Sequence, residues 1–257
     1  MRFASEELET VITSEKLFDI AGLPITNSIL YGWIVATLII IFLVMARKRL
    51  KIGGTKGPSE LIEIGTEFIV GLLKNTLGSE RLAIKYTPLF ATMFFFIVIN
   101  NWLGLIPGIG HSVVYGEHAL LRPFTADING TLAMALFGMA MVQIISIKEG
   151  GLKNHAKHYF PGKAFNPVTY LIGAFEIFTE LTRLLSLGLR LFLNIAIGEI
   201  LILVAAYLGG PAGAVSAVPF TLLEIFVGAL QAYIFVVLCV AYLSATISHS
   251  DHQEEHA

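Results

Sequence analysis

PVTYLIGAFEIFTELTRLLSLGLRLFLNIAIGEILILVAAYL, running from about Pro167 to Leu208, is an almost unbroken apolar stretch. A helix that crosses a bilayer needs about 20 mostly apolar residues. At ~1.5 Å per residue this stretch would be roughly 60 Å long as one helix. The hydrocarbon core is only ~30 Å thick, so such a helix cannot stand upright in it. It must tilt strongly, bend, or run partly along the membrane. Gly209, Gly210, Pro211 and Gly213 then give a strong turn signal, and a second long apolar run follows from about Ala217 to Ser248. The expectation is a tilted helical hairpin over 167–208 and 217–248, with two short helices and a break as the alternative.

Composition carries the same message through the rest of the chain. Of 257 residues, 55% are hydrophobic and only 14% are charged, and the mean hydropathy is +0.75. A soluble domain has about a quarter of its residues charged, so too few polar side chains exist here to cover a water-facing surface. Three further spans are predicted, over 29–47, 86–106 and 131–147. Between the first two, Leu61, Ile64, Phe68, Leu72 and Leu73 recur at helical spacing, while Glu60, Glu63, Glu67 and Lys74 fill the other side. That pattern predicts an amphipathic helix over 58–77, lying on the membrane rather than crossing it. The fold class is therefore an all-α membrane protein with five transmembrane segments and one interfacial helix. It is read as one membrane domain, residues 1–257, without internal repeats.

Lys and Arg set the expected orientation. The loop after the first span holds Arg47, Lys48, Arg49 and Lys51, and the loop after the third holds Lys148, Lys153, Lys157 and Lys163. Basic loops face the cytoplasm. Five spans then put residues 1–28 outside the cell and the C-terminus inside. Glu6, Glu7, Glu9, Glu15 and Asp19 make the first residues too acidic for a secretory signal or a mitochondrial presequence, so insertion is expected to use the transmembrane helices. A bacterial plasma membrane is the expected location. Cys239 is the one cysteine, so no internal disulfide forms. No nucleotide, zinc or nucleophile motif is present. His111, His118, His155 and His158 show no metal-ligand spacing. No cofactor, metal or nucleic acid is expected.

Ionisable groups inside a span are costly and usually functional. The last two runs hold Glu176, Glu180, Arg183, Arg190, Glu199 and Glu224, with polar Asn194 and Gln231. Arg190 lies about midway along its run, too far from either end to snorkel to the interface. It is a permanent charge that can hold a carboxylate ionised. Asn194 follows by four and shares its face. Glu199 follows by nine and lies nearly opposite, so it should face a neighbouring helix. Glu224 and Gln231, seven apart, share a face of the next run. The arrangement reads as a polar path from outside that stops at the arginine. Glu180 and Arg183, three apart, are expected to pair, and Asp127 by default is a surface acid in a loop.

Ser186-Leu-Gly-Leu-Arg-Leu-Phe-Leu-Asn194, continuing to Gly198-Glu199, resembles the signature of subunit a of the F-type ATP synthase. Leu230-Gln-Ala-Tyr-Ile-Phe235 with Tyr242-Leu243 is similar to that family's last helix. Weaker likenesses lie in Asn101-Trp-Leu-Gly-Leu-Ile-Pro107 and in Pro123-Phe-Thr-Ala-Asp127-Ile-Asn129. The resemblance implies a stator subunit beside a rotating ring of c subunits, each with a membrane carboxylate, held by peripheral-stalk b subunits in the wider synthase. It implies no independent catalytic activity. It makes Arg190 the barrier between two proton half-channels. It assigns Asn194, Glu199, Glu224, Gln231 and Asp127 to the outer one, and Glu176 and Ser186 to the inner one. Two departures stand out. The family often has Gly where Leu193 stands, and often histidine at one of the positions of Glu199 and Glu224. With glutamate at both, the two carboxyls are expected to titrate as a pair. A secondary transporter is the main alternative. It predicts discontinuous helices around a mid-membrane site. A passive membrane anchor would leave the charges of the last two runs unexplained.

Overall fold

The computed structural model describes residues 16–20, 23–47, 58–106, 114–115, 118–119, 122–151 and 167–254. Lys48, Arg49 and Lys51 after the first span, and Lys153, Lys157, Lys163, His111, His155 and His158, lie outside the described residues. Among those described, six α-helices carry the fold: α1 Asn27–Arg47, α2 Pro58–Leu77, α3 Glu80–Gly104, α4 Ile128–Gly150, α5 Pro167–Leu208 and α6 Gly213–Glu254. All but α2 contain a segment long and apolar enough to cross a membrane. Two short antiparallel ribbons, β1 Lys16–Ile20 with β2 Leu23–Thr26 and β3 Val114–Tyr115 with β4 His118–Ala119, were not expected from sequence. They are local hairpins and leave the helical class unchanged.

α5 is one uninterrupted helix of 42 residues. The broken alternative is not what forms. A short 3-10 turn at Gly210–Ala212 reverses the chain, and α6, also 42 residues, returns along α5. α2 has the expected bounds, and the other helices are longer than their apolar runs. α3 begins at Glu80 rather than near Tyr86. Gly78, at φ 64°, ends α2, and Ser79 caps the new helix by accepting from the Leu82 amide at 3.5 Å. Hydropathy misses this turn because Glu80, Arg81 and Lys85 are charged. α4 starts at Ile128 instead of Thr131, because the Asp127 side chain accepts from the Asn129 amide at 3.0 Å. α6 starts four residues before the expected point, at Gly213, and carries Pro219 near its start.

Side-chain packing rather than water exclusion holds helices together in lipid, so small residues at crossings matter. Gly188 of α5 lies against Leu132 and the Thr131 carbonyl of α4, and Gly138 of α4 against Met93, Phe235 and Cys239. The main core gathers Phe90, Ile97, Ile145, Leu187, Leu191, Phe235 and Leu243. α1 contributes a single stripe, Tyr31, Val35 and Ile39, to a second cluster with Phe96 and Phe124. α2 buries Ile69 and Leu73 against α3 and α6, but Ile64 and Phe68 are about half exposed, at 57% and 50%. The apolar side of α2 is therefore wider than its contact with this chain.

Candidate functional site

α5 has two unlike faces, and the Ser186–Asn194 block sets them. Gly188 is buried because it lets α5 approach α4 closely. Two residues on, about 200° around the helix, Arg190 is exposed. Around it Leu185, Ser186, Leu189, Leu193 and Ile197 are exposed as well. Among the described residues Arg190 has no hydrogen-bond or ion-pair partner. The arginine thus stands alone on an apolar outer face, with Ser186 one turn away on the same side.

The neighbouring polar residues turn the other way. Asn194 Nδ2 donates to Gln231 Oε1 at 2.6 Å, tying α5 to α6. Gln231 is fully buried, and Glu224, two turns along α6, is 5% exposed. The Glu224 carboxylate occupies the space that a side chain at Gly198 would fill. Asn101 of α3 enters between these two residues, with its Nδ2 donating to the Gly228 carbonyl at 3.0 Å. Trp102 adds a bond from Nε1 to the Ile225 carbonyl at 2.9 Å. Gln231 Nε2, Glu224 Oε1 and Asn101 Oδ1 are buried without a partner among the described residues. Buried polar atoms are rarely left so, and Glu224, Gln231 and Asn101 together make a polar seam where α3 packs on α6. Asn101 is a site residue that sequence reasoning did not single out. Its signal was the polar Asn100-Asn101 pair inside an apolar run.

Toward the hairpin turn, Glu199 is partly buried. The charges of Arg122 and of Glu224 act on it, and its own charge reaches Tyr31 of α1. Glu199 therefore does face other elements. Arg122 is buried and donates from Nη2 to the Ala126 carbonyl at 2.8 Å. Asp127 differs from its expected place. It is no surface acid but 6% exposed, accepting from Ser28 Oγ at 2.5 Å and from Asn129. The cause is its N-cap role, which draws it under α1.

At the opposite end Glu176 is half-buried on α5. Glu180 and Arg183 do not pair. Gln143 of α4 donates to Glu180, and the Arg183 guanidinium lies over the Tyr242 ring of α6 at 5.1 Å. Neighbours on adjacent helices outcompete the residue one turn away. Beyond them, Lys85 and Tyr86 of α3 both donate to Glu149 at the end of α4. Among the described residues no cluster of His, Cys, Asp or Glu has the makings of a metal site.

The fold and site are those of a multi-pass membrane protein, with a buried polar seam on one side of a helix and a lone arginine on the other. Comparison with known proteins gives the family. The model of the ATP synthase A chain family matches residues 29–244. ATP synthase subunit a of Moorella thermoacetica is 29% identical over 91% of this chain and 97% of its own length. That of Oceanobacillus iheyensis is 31% identical over 91% and 96%, and that of Campylobacter hominis is 34% identical over 75% and 77%. The chain belongs to the ATP synthase subunit a family: it is a multi-pass membrane subunit of the rotary synthase, not an enzyme by itself.

Proposed function

We propose that the chain forms two half-channels that load and unload protons on c-ring carboxylates, with Arg190 as the barrier between them. The observation that carries this reading is the division of α5. Arg190 stands exposed and unpartnered on an apolar face, while Asn194, Glu224 and Gln231 line a buried seam behind it. A ring carboxylate approaching the apolar face meets a charge that cannot be neutralised. The seam supplies side chains and water sites that pass protons. Glu199, Glu224 and Asp127 lead the outer path from the hairpin-turn side, and Asn194 and Gln231 complete it. Glu176 and Ser186 belong to the inner path. The N-terminus is outside and the C-terminus cytoplasmic, in a bacterial plasma membrane, with b subunits bracing the chain against the turning ring. The transporter alternative loses support, since α5 and α6 run without the break such sites use.

The test is Arg190→Ala in the intact synthase in inverted membrane vesicles, with ATP-driven acidification as readout. Pumping should be lost. Arg190→Lys should fail too, because a buried lysine can shed its proton and lacks the planar fork. Pumping at the normal rate in either variant refutes the reading.

A further inference from the structure

We infer that Glu180, held by Gln143, carries protons through the inner half-channel, one turn before Glu176. This rests on the half-channel reading above. A carboxyl within a span is costly and is kept with a chosen partner. The partner on its own helix would be Arg183, but that guanidinium is taken by the Tyr242 ring at 5.1 Å. Gln143 donates to the Glu180 carboxylate instead.

The difference is chemical. An arginine partner would hold the carboxylate ionised. A neutral amide donates to an oxygen of the carboxylate and also, less strongly, to the carbonyl oxygen of the acid form. The bond survives a change of charge, which a proton carrier must undergo. On loading, an O–H bond forms at Glu180 and the group becomes neutral. On release the same bond breaks and the carboxylate returns.

Position fits the role. Glu180 lies ten residues before Arg190, about 15 Å along α5 and about 80° around it. That direction is shared by Leu187 and Leu191, both buried, so Glu180 faces into the bundle while Arg190 faces out. Glu176, one turn further on, lies within about 40° of the same line, about 6 Å away along the axis. Gln143 sits about 10 Å from the end of α4, beside the same end of the bundle as Glu149. Two acids in series thus join the region below Arg190 to the end of the helices.

The test uses the complete synthase in inverted vesicles. Glu180→Gln keeps size and hydrogen bonding but cannot carry a proton, so ATP-driven pumping should fall by about tenfold or more. Glu180→Asp should restore part of it, which a purely structural role would not require. A second arm replaces the single native cysteine (Cys239→Ala) and introduces Glu180→Cys. A membrane-impermeant maleimide should then label that position from the cytoplasmic side. Arg190→Ala serves as control. If Arg190→Ala is dead while Glu180→Gln pumps at the normal rate, this inference fails and the half-channel reading stands. If Arg190→Ala pumps, the half-channel reading fails first. If Glu180→Gln does not assemble, labelling decides: a Glu180→Cys that stays unlabelled from the cytoplasmic side overturns the proposal.

Discussion

Replacing Asn194 by Leu should loosen the hairpin at its midpoint, and the structure bounds the cost. The Asn194 amide donates to Gln231 Oε1 at 2.6 Å, and Gln231 has no exposed surface. Gln231 Nε2 already lacks a partner among the described residues. Losing Asn194 therefore strands the whole Gln231 amide. In a water-soluble protein an unsatisfied buried group costs about 1–3 kcal/mol. Between membrane helices a side-chain hydrogen bond averages about 0.6 kcal/mol and reaches about 1.7, because the unfolded chain in lipid also finds partners. The bond here is short and the acceptor is fully enclosed, so about 1–2 kcal/mol is expected for the single variant.

Gln231→Leu should cost less, since the partly exposed Asn194 has other hydrogen-bonding options. The double variant leaves no stranded amide and places two apolar groups where the membrane interior suits them. Its cost should fall short of the sum of the singles by about 1 kcal/mol. The assay is denaturing-detergent titration of the purified subunit in micelles, run as a double-mutant cycle. Costs that add to within about 0.3 kcal/mol would show that the two amides do not depend on each other, and the reasoning would be wrong. Vesicle pumping by the double variant then separates stability from function. A sturdy double variant that still fails to pump places the amides in the path.

Two further substitutions probe the close approaches of α5. A side chain at Gly188 would meet Leu132 Cδ2 at 2.9 Å and both Leu132 Cα and the Thr131 carbonyl at 3.3 Å; Gly188→Val should therefore push α5 off α4 and cost about 1–3 kcal/mol in the same titration. The nearest atoms to a side chain at Gly198 are those of the Glu224 carboxylate, the end of a flexible side chain that can swing away in Gly198→Ala. Stability should barely change while pumping drops, and a loss of stability as large as that of Gly188→Val would show that the carboxylate is fixed in its seat.

Helix count and order were legible because each of the five apolar runs comes close to or exceeds the ~20 residues a bilayer demands, while α2 showed in its helical periodicity. The ends were not, because they depend on capping. Ser79 and Asp127 start their helices through side-chain bonds that hydropathy does not register. Within the site, periodicity separated Arg190 from Glu199 and grouped Glu224 with Gln231, since those are relations along one helix. What lay beyond periodicity were contacts between helices far apart in sequence. Asn101 reaches Gly228, Ser28 reaches Asp127, and Gln143 rather than Arg183 holds Glu180. Helix spacing says which residues can meet on one cylinder, but the crossing of cylinders decides which do.

Arg190 is then the residue whose worth depends most on what lies outside the chain. A charge at membrane depth costs several kcal/mol or more unless it is paired or reaches water. Its own chain supplies no partner among the described residues, and its neighbours on the exposed face are Leu189, Leu193 and Ile197. In the isolated subunit the arginine contributes no contact that offsets its desolvation. Arg190→Leu should therefore leave the purified subunit as stable as the native chain, or somewhat more so, in micelle titration. The same change in the intact synthase should abolish pumping. A buried ion pair broken from one side usually costs about 3–5 kcal/mol, so a loss of that size in the isolated subunit would mean that Arg190 has a partner within its own chain. An unchanged subunit with a dead synthase would mean that the partner arrives from outside, as a carboxylate carried past this face.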